Sequence, residues 1–111
     1  MQLTPAARAA FTHVPAVDVA RVRIIVVPVL TPGVAAMTLG RFVLLRRGHE
    51  PSAGLIAHEL VHVQQWRELG AARFLRRYLT DYFRARRAGL RHWQAYRSIS
   101  LEQEARTRSG S

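Results

Sequence analysis

Apolar residues follow two different spacings along the chain, and the first half is strand-like. The β-branched run at residues 21–30 predicts a strand, which Pro28 places at a sheet edge or a bulge. Shorter runs at residues 34–39 and 42–47 predict two strands joined as a hairpin. This half is therefore expected to form a small antiparallel or mixed sheet.

After Gly48 the apolar residues follow the 3.6-residue period of a helix. A first helix is predicted to start at Pro51-Ser52 and to stop at Gly70, with apolar residues on two sides. A second is predicted over residues 71–88, with an apolar half and an arginine-rich half. The first helix should therefore lie at the centre of the fold, and the second nearer to solvent.

The whole chain of 111 residues has the length of a single domain. Residues 1–19 are expected to form an irregular or partly helical lead-in, and residues 106–111 to fray. A last short helix is predicted around Glu102. The fold class is thus α+β: a small N-terminal sheet packed on a central helix, with two further helical segments.

Composition narrows the chemistry that is open to this chain. The net charge is +10, all seventeen basic residues are arginine, and cysteine is absent. A metal would then be held by histidine and carboxylate, since thiolate ligands are missing. Neither a secretory signal nor a membrane span is recognisable, which favours a cytoplasmic protein.

The central helix contains the segment HELVH, in which His58 and His62 flank Glu59. Residues four apart lie about 40° apart around a helix, so both histidines can share one metal ion. Glu59 can then act on a water beside the metal as general base. The alternative is that both histidines are hydrogen-bonded core residues. The paired spacing favours a zinc site.

Three segments resemble the very small gluzincin-like zinc metallopeptidases called minigluzincins. They are TLGRFVLLRRG, LIAHELVHVQQW and YRSISLEQEA, within residues 34–105. The resemblance implies a zincin-like fold and hydrolysis of peptide bonds at a Zn²⁺ ion. It also implies that a peptide or protein substrate adds as a strand to the sheet's rim. The candidate substrate-binding residues are those of the rim strand, Val34, Ala35, Ala36, Met37 and Thr38.

Gluzincins take their third zinc ligand from a glutamate on a later helix, often within Glu-x-x-Ala-Asp. The resemblance assigns this role to Glu102, which precedes Ala105 by three residues. Glu104 lies about 200° from Glu102 on a helix, so both cannot face one ion. Arg106 replaces the aspartate that usually orients a zinc-bound histidine, and another acceptor would have to serve.

Other residues are weaker candidates for the site. Tyr96 could stabilise an oxyanion or belong to the core. His49 and His92 lack a partner at a ligand spacing, which favours surface or capping roles. Gln65 shares the histidine face and is expected to hydrogen-bond beside the site.

Two further classes of function compete with peptide hydrolysis. One is a zinc-bound, non-catalytic domain that acts through partners. The other is a basic binder of nucleic acid or of a membrane surface. The arginine face lacks interleaved exposed aromatics, which disfavours nucleic acid and leaves an anionic membrane surface open. The sequence does not determine the oligomeric state.

Overall fold

The computed structural model describes residues 1–31, 33–48 and 52–110. They form an α+β fold with a small three-stranded mixed sheet and several helices, as predicted. In chain order the elements are α1 Pro5–Ala10, α2 Ala16–Arg21, β1 Arg23–Val27, β2 Ala36–Leu39, β3 Phe42–Arg46, α3 Ala53–Leu69, α4 Ala71–Arg87, α5 His92–Ser98 and α6 Ser100–Ser109. In the described part of the chain no helix is long and apolar enough to cross a membrane.

The sheet has the strand order β1-β3-β2, with β1 parallel and β2 antiparallel to the central strand β3. The predicted hairpin is confirmed, although β2 begins at Ala36 and not at residue 34. Alternation along the strands places Ala36 and Thr38 of β2 on the buried face. Strand β2 lies at the edge of the sheet, next to the helix that carries the histidines.

Helix α3 is the centre of the fold, packed on two sides as predicted. Ser52 caps its first turn by accepting a hydrogen bond from the backbone N–H of Leu55; Pro51 lies outside the described residues. On one side Leu60 and Val63 pack against the sheet. Gly70 separates α3 from α4 with a φ of 78°, a value that glycine tolerates.

The predicted lead-in is more ordered than the sequence indicated. It contributes α1 and α2, and Val14 and Val19 are buried in the core. The fully buried Asp18 accepts two hydrogen bonds from the Arg67 guanidinium, at 2.7 and 2.9 Å. This bidentate ion pair fixes α2 to α3.

The apolar half of α4 is only partly covered. Phe74 is buried, whereas Leu75, Leu79 and Phe83 are 43%, 46% and 59% exposed. The sequence pattern identifies the apolar face but does not show how much of it packs. Half of that face is left open to solvent.

Two helices follow α4, where the sequence predicted one short helix. The prediction that residues 106–111 fray is corrected, because helix α6 continues to Ser109. Ser111 lies outside the described residues. Arg108 donates to the backbone oxygen of His13 and to the side-chain oxygen of Gln64, and these bonds hold the end of α6 on the core. Asp81 of α4 accepts from the backbone N–H and hydroxyl of Ser100, so it caps the first turn of α6.

Candidate functional site

The two histidines of α3 lie side by side, as their spacing requires. The ring centroids of His58 and His62 are 5.0 Å apart in an edge-on arrangement. His62 is buried at 4% exposure, and His58 is partly exposed. One ring thus faces the interior and the other lies closer to solvent.

Glu102 of α6 reaches both histidines with a single oxygen atom. Its Oε1 lies 2.9 Å from His58 Nε2 and 3.0 Å from His62 Nε2. The carboxylate is buried at 3% exposure. The neighbouring Ala105 is fully buried, and its small side chain permits close packing of α6 on α3. The structure therefore brings the three predicted ligands together.

The electrostatics of this cluster favour positive charge. Burial raises the pKa of the Glu102 carboxyl, but hydrogen bonds from His58, His62 and Tyr78 outweigh it and hold that pKa far below its usual range. Burial lowers the pKa of His62, but its hydrogen bond to Glu102 and the charge of Glu102 raise it above the ordinary value. A buried carboxylate thus stays ionised and attracts a proton or a metal cation to the histidines.

These three side chains could hold a metal ion. One ligand atom from each of His58, His62 and Glu102 can be chosen so that all lie within 4.8 Å of one another. Ligand bonds of about 2.0–2.2 Å at tetrahedral angles put donor atoms roughly 3.3–3.6 Å apart, which falls within this limit. Two imidazoles and one carboxylate also form a donor set that is common in metal sites.

Gln65 orients His62 from behind. The Nδ1–H of His62 donates to Gln65 Oε1 at 2.7 Å. The Gln65 amide nitrogen donates in turn to the backbone oxygen of Leu101 and to Glu104, each at 3.0 Å, which fixes its orientation. Nε2 of His62 is thereby directed at the cluster. Gln65 thus serves as the hydrogen-bond acceptor for the Nδ1–H of His62.

Tyr78 of α4 fixes the second oxygen of Glu102. Its hydroxyl donates to Glu102 Oε2 at 2.7 Å, which leaves Oε1 to face the histidines. Burial and the charge of Glu102 raise the pKa of Tyr78 well above its ordinary value, so the phenol keeps its proton. Sequence reasoning missed this role, because Tyr78 belonged to the apolar face of its helix and no spacing relates it to Glu102.

Glu59 lies beside the cluster of ligands and contacts the sheet. It is buried at 5% exposure, and its Oε2 accepts a hydrogen bond from the Thr38 hydroxyl at 2.7 Å. Thr38 was expected to bind substrate as part of the rim strand. Its side chain faces inward and donates to the carboxylate of Glu59. Thr38 also lines the chamber beside the site, so its role towards a substrate stays a prediction.

A mainly apolar chamber of about 220 Å³ opens beside the site. Its floor includes Glu59, His62 and Glu102, and β2 and α4 form its two walls. Its further lining residues are Val34, Ala36, Met37, Thr38, Leu39, Trp66, Phe74, Leu75, Tyr78, Leu79 and Tyr96. The edge strand and the half-exposed face of α4 thus frame one cleft.

Of the remaining candidates, Tyr96 lies at the site. Burial raises the pKa of its phenol above the ordinary value, helped by the charges of Glu102 and Glu59. Ala35 precedes β2 and lines a second depression beside His58. His92 lies 2.8 Å from the Tyr82 hydroxyl, away from the ligand cluster. His49 lies outside the described residues.

Comparison with known proteins identifies the family. The family model described as the eCIS core domain matches residues 2–70, more than half of the chain. The chain belongs to the eCIS core domain family. This family is associated with zincin-like, metalloprotease-type domains in contractile injection systems. No curated protein and no solved structure matches the chain.

The eCIS core match contains His58, Glu59 and His62 but ends before Glu102. The carboxylate comes from α6, outside the matched region. The candidate site of this eCIS core protein is therefore completed by a part of the chain that the family model does not cover.

Proposed function

We propose that this protein is a zinc-dependent peptidase with a gluzincin-like site. His58, His62 and Glu102 hold the ion, and Glu59 acts as general base and acid. The observation that carries the proposal is the approach of both Nε2 atoms to Glu102 Oε1, at 2.9 and 3.0 Å, beside a cleft that contains Glu59.

Zinc suits this donor set better than hard cations such as Mg²⁺ or Ca²⁺ do. Imidazole nitrogen and carboxylate oxygen are its usual ligands in catalytic sites, where three protein ligands leave a fourth position open. Hard cations such as Mg²⁺ prefer oxygen ligands alone. When bound, zinc acts as a Lewis acid and lowers the pKa of a coordinated water to roughly 7.

Glu59 moves the protons of the reaction. One of its oxygens is held by the Thr38 hydroxyl, which fixes the plane of the carboxylate. The other oxygen takes a proton from the water as it attacks the peptide carbonyl carbon. Glu59 then delivers that proton to the departing amide nitrogen, so the C–N bond breaks and an amine leaves.

Tyr96 stabilises the negative charge that develops on the carbonyl oxygen. Its raised pKa keeps the phenol protonated, so it can donate a hydrogen bond. It lines the chamber together with Glu59 and Glu102, within the cleft where the substrate carbonyl would lie.

The substrate is an extended peptide paired with β2. The outer edge of β2 has no strand beside it in the described sheet, so its backbone groups are available for pairing. A side chain of such a peptide would enter the chamber between β2 and α4. The lining by Trp66, Phe74 and Leu75 favours an apolar side chain there.

A second candidate is a zinc-bound domain that binds partners without cleaving them. The exposed apolar residues Leu75, Leu79 and Phe83 favour it, because they offer a contact surface along α4. In that case the metal would serve stability, and Glu59 would be dispensable.

The Glu59→Gln variant separates the two candidates. We expect it to keep zinc at the wild-type level and to lose at least ~10²-fold in the rate of cleavage of quenched fluorescent peptides. Zinc would be measured by elemental analysis of the same samples. An active wild type and an equally active Glu59→Gln variant would contradict this role for Glu59. A zinc-loaded wild type that cleaves no peptide would favour the partner-binding domain.

A further inference from the structure

An open depression adjoins the site at His58 and shares Tyr96 with the apolar chamber. It is lined by His58, Tyr96, Trp93, Gln94, Arg97 and Arg106. His58 and Tyr96 belong to the candidate site, so the depression continues directly from it. The cleft therefore has chemically different halves, one mainly apolar and one containing two guanidinium groups.

The two arginines are held without a carboxylate partner among the described residues. Arg106 donates to the backbone oxygen of Arg97 at 2.5 Å, which ties its guanidinium to α5. In the described part of the chain, ion pairs involve Arg67 and Arg108 but neither Arg97 nor Arg106. Arg97 is exposed, and Arg106 is partly exposed. Both guanidinium groups therefore retain N–H donors that can bind a ligand.

We propose that Arg97 and Arg106 form a subsite for a carboxylate of the substrate, adjoining the metal site. This inference rests on the proposed function and adds a substrate class to it. Guanidinium groups bind carboxylates through paired N–H donors, and a site already close to the ligand cluster positions such a group near the reacting bond. The carboxylate is either an acidic side chain or the free C-terminus of the peptide.

The experiment measures peptide binding to zinc-loaded Glu59→Gln protein by fluorescence anisotropy, so that cleavage does not interfere. The reference peptide carries glutamine and an amidated C-terminus. In one arm the glutamine residues of the reference peptide are replaced by glutamate, one position at a time. The other arm keeps glutamine and frees the C-terminal carboxylate. The arm that binds tighter identifies the source of the carboxylate.

We expect one arm to bind roughly 3- to 10-fold tighter than the reference, the range for a partly solvated charge pair. Arg97→Gln should remove most of this preference, because it removes one of the two guanidinium groups. The variant keeps the backbone oxygen of residue 97, so the contact that holds Arg106 is preserved. The double variant Arg97→Gln with Arg106→Gln should remove it entirely. Binding of the reference peptide should hardly change.

The matched control is Arg73→Gln with Arg87→Gln on α4, which lowers the net charge by the same amount away from the depression. It should keep the preference for a carboxylate. An equal loss in the control pair, or no preference at all, overturns the subsite and leaves the peptidase proposal intact. Failure of every peptide to bind overturns both.

Discussion

Tyr78 and Thr38 orient two carboxylates of the site, although neither residue belongs to a recognisable short motif. Each donates one hydrogen bond of 2.7 Å to a buried carboxylate, Tyr78 to Glu102 and Thr38 to Glu59. A carboxylate that is held at one oxygen presents the other in a defined direction. The two contacts therefore set the positions of the proposed ligand and the proposed base.

Tyr78→Phe should weaken zinc binding by roughly 10-fold, since partners of metal ligands contribute about this much. Competition with a chromophoric chelator measures the affinity. Tyr82→Phe is the matched control, because its hydroxyl lies against His92 and not against a ligand. Equal affinities in wild type and Tyr78→Phe would show that Glu102 does not need this contact.

Thr38→Val should leave zinc binding intact and lower the peptidase rate by roughly 10-fold. A hydrogen bond to a charged group contributes about 1.5 kcal/mol, which corresponds to that factor. Thr38→Ser should recover most of the rate, because serine keeps the hydroxyl. A serine variant as slow as the valine variant would assign the effect to packing and not to the hydrogen bond.

At the scale of helices and strands, α6 has to be placed accurately for Glu102 to reach α3. Asp81 contributes by capping the first turn of α6 through the N–H and hydroxyl of Ser100. Burial raises the pKa of Asp81, but the bonds from Ser100 and the nearby Arg77 lower it below the ordinary value. The ionised form is thus the one that stabilises the fold.

Asp81→Ala should lower the free energy of unfolding by about 1 kcal/mol, the usual cost of a lost cap. Because the pKa of Asp81 is lower in the folded protein, its contribution is present above the unfolded pKa and is lost as the pH falls through the folded value. Urea unfolding at pH 7 and at pH 3 measures the difference. A gap between wild type and variant that grows towards pH 3 would contradict the assignment.

The sequence predicted some of the helices, strands and site contacts but not others. The β2–β3 hairpin and α3 were predictable from the local spacing of apolar residues. The shared direction of His58 and His62 follows from helix geometry alone. Glu102 was assigned through a family pattern, since no local rule relates it to residues 44 positions earlier. The roles of Gln65, Tyr78 and Thr38 depend on which helices and strands pack together. The periodicity of side chains shows which face of a helix or strand is buried, but not which atoms of another element that face contacts.

For the whole molecule, the site depends on contacts between distant parts of the chain. The eCIS core match supplies α1 to α3, and the last helix supplies the carboxylate. Arg108 holds that helix to the N-terminal segment through the backbone oxygen of His13, 95 residues away. The proposed ion would join α3 to α6, and its binding should therefore stabilise the fold.

The zinc content of three purified proteins tests the central claim most directly. The wild type should contain close to one zinc per chain after purification without chelator. Glu102→Ala should bind zinc far more weakly, because it removes one of three ligands. Glu104→Ala should bind nearly as tightly as wild type, since Glu104 is not a ligand and Gln65 keeps its bond to the backbone oxygen of Leu101. A wild type without zinc, or a Glu102→Ala variant with full zinc content and affinity, would contradict the account.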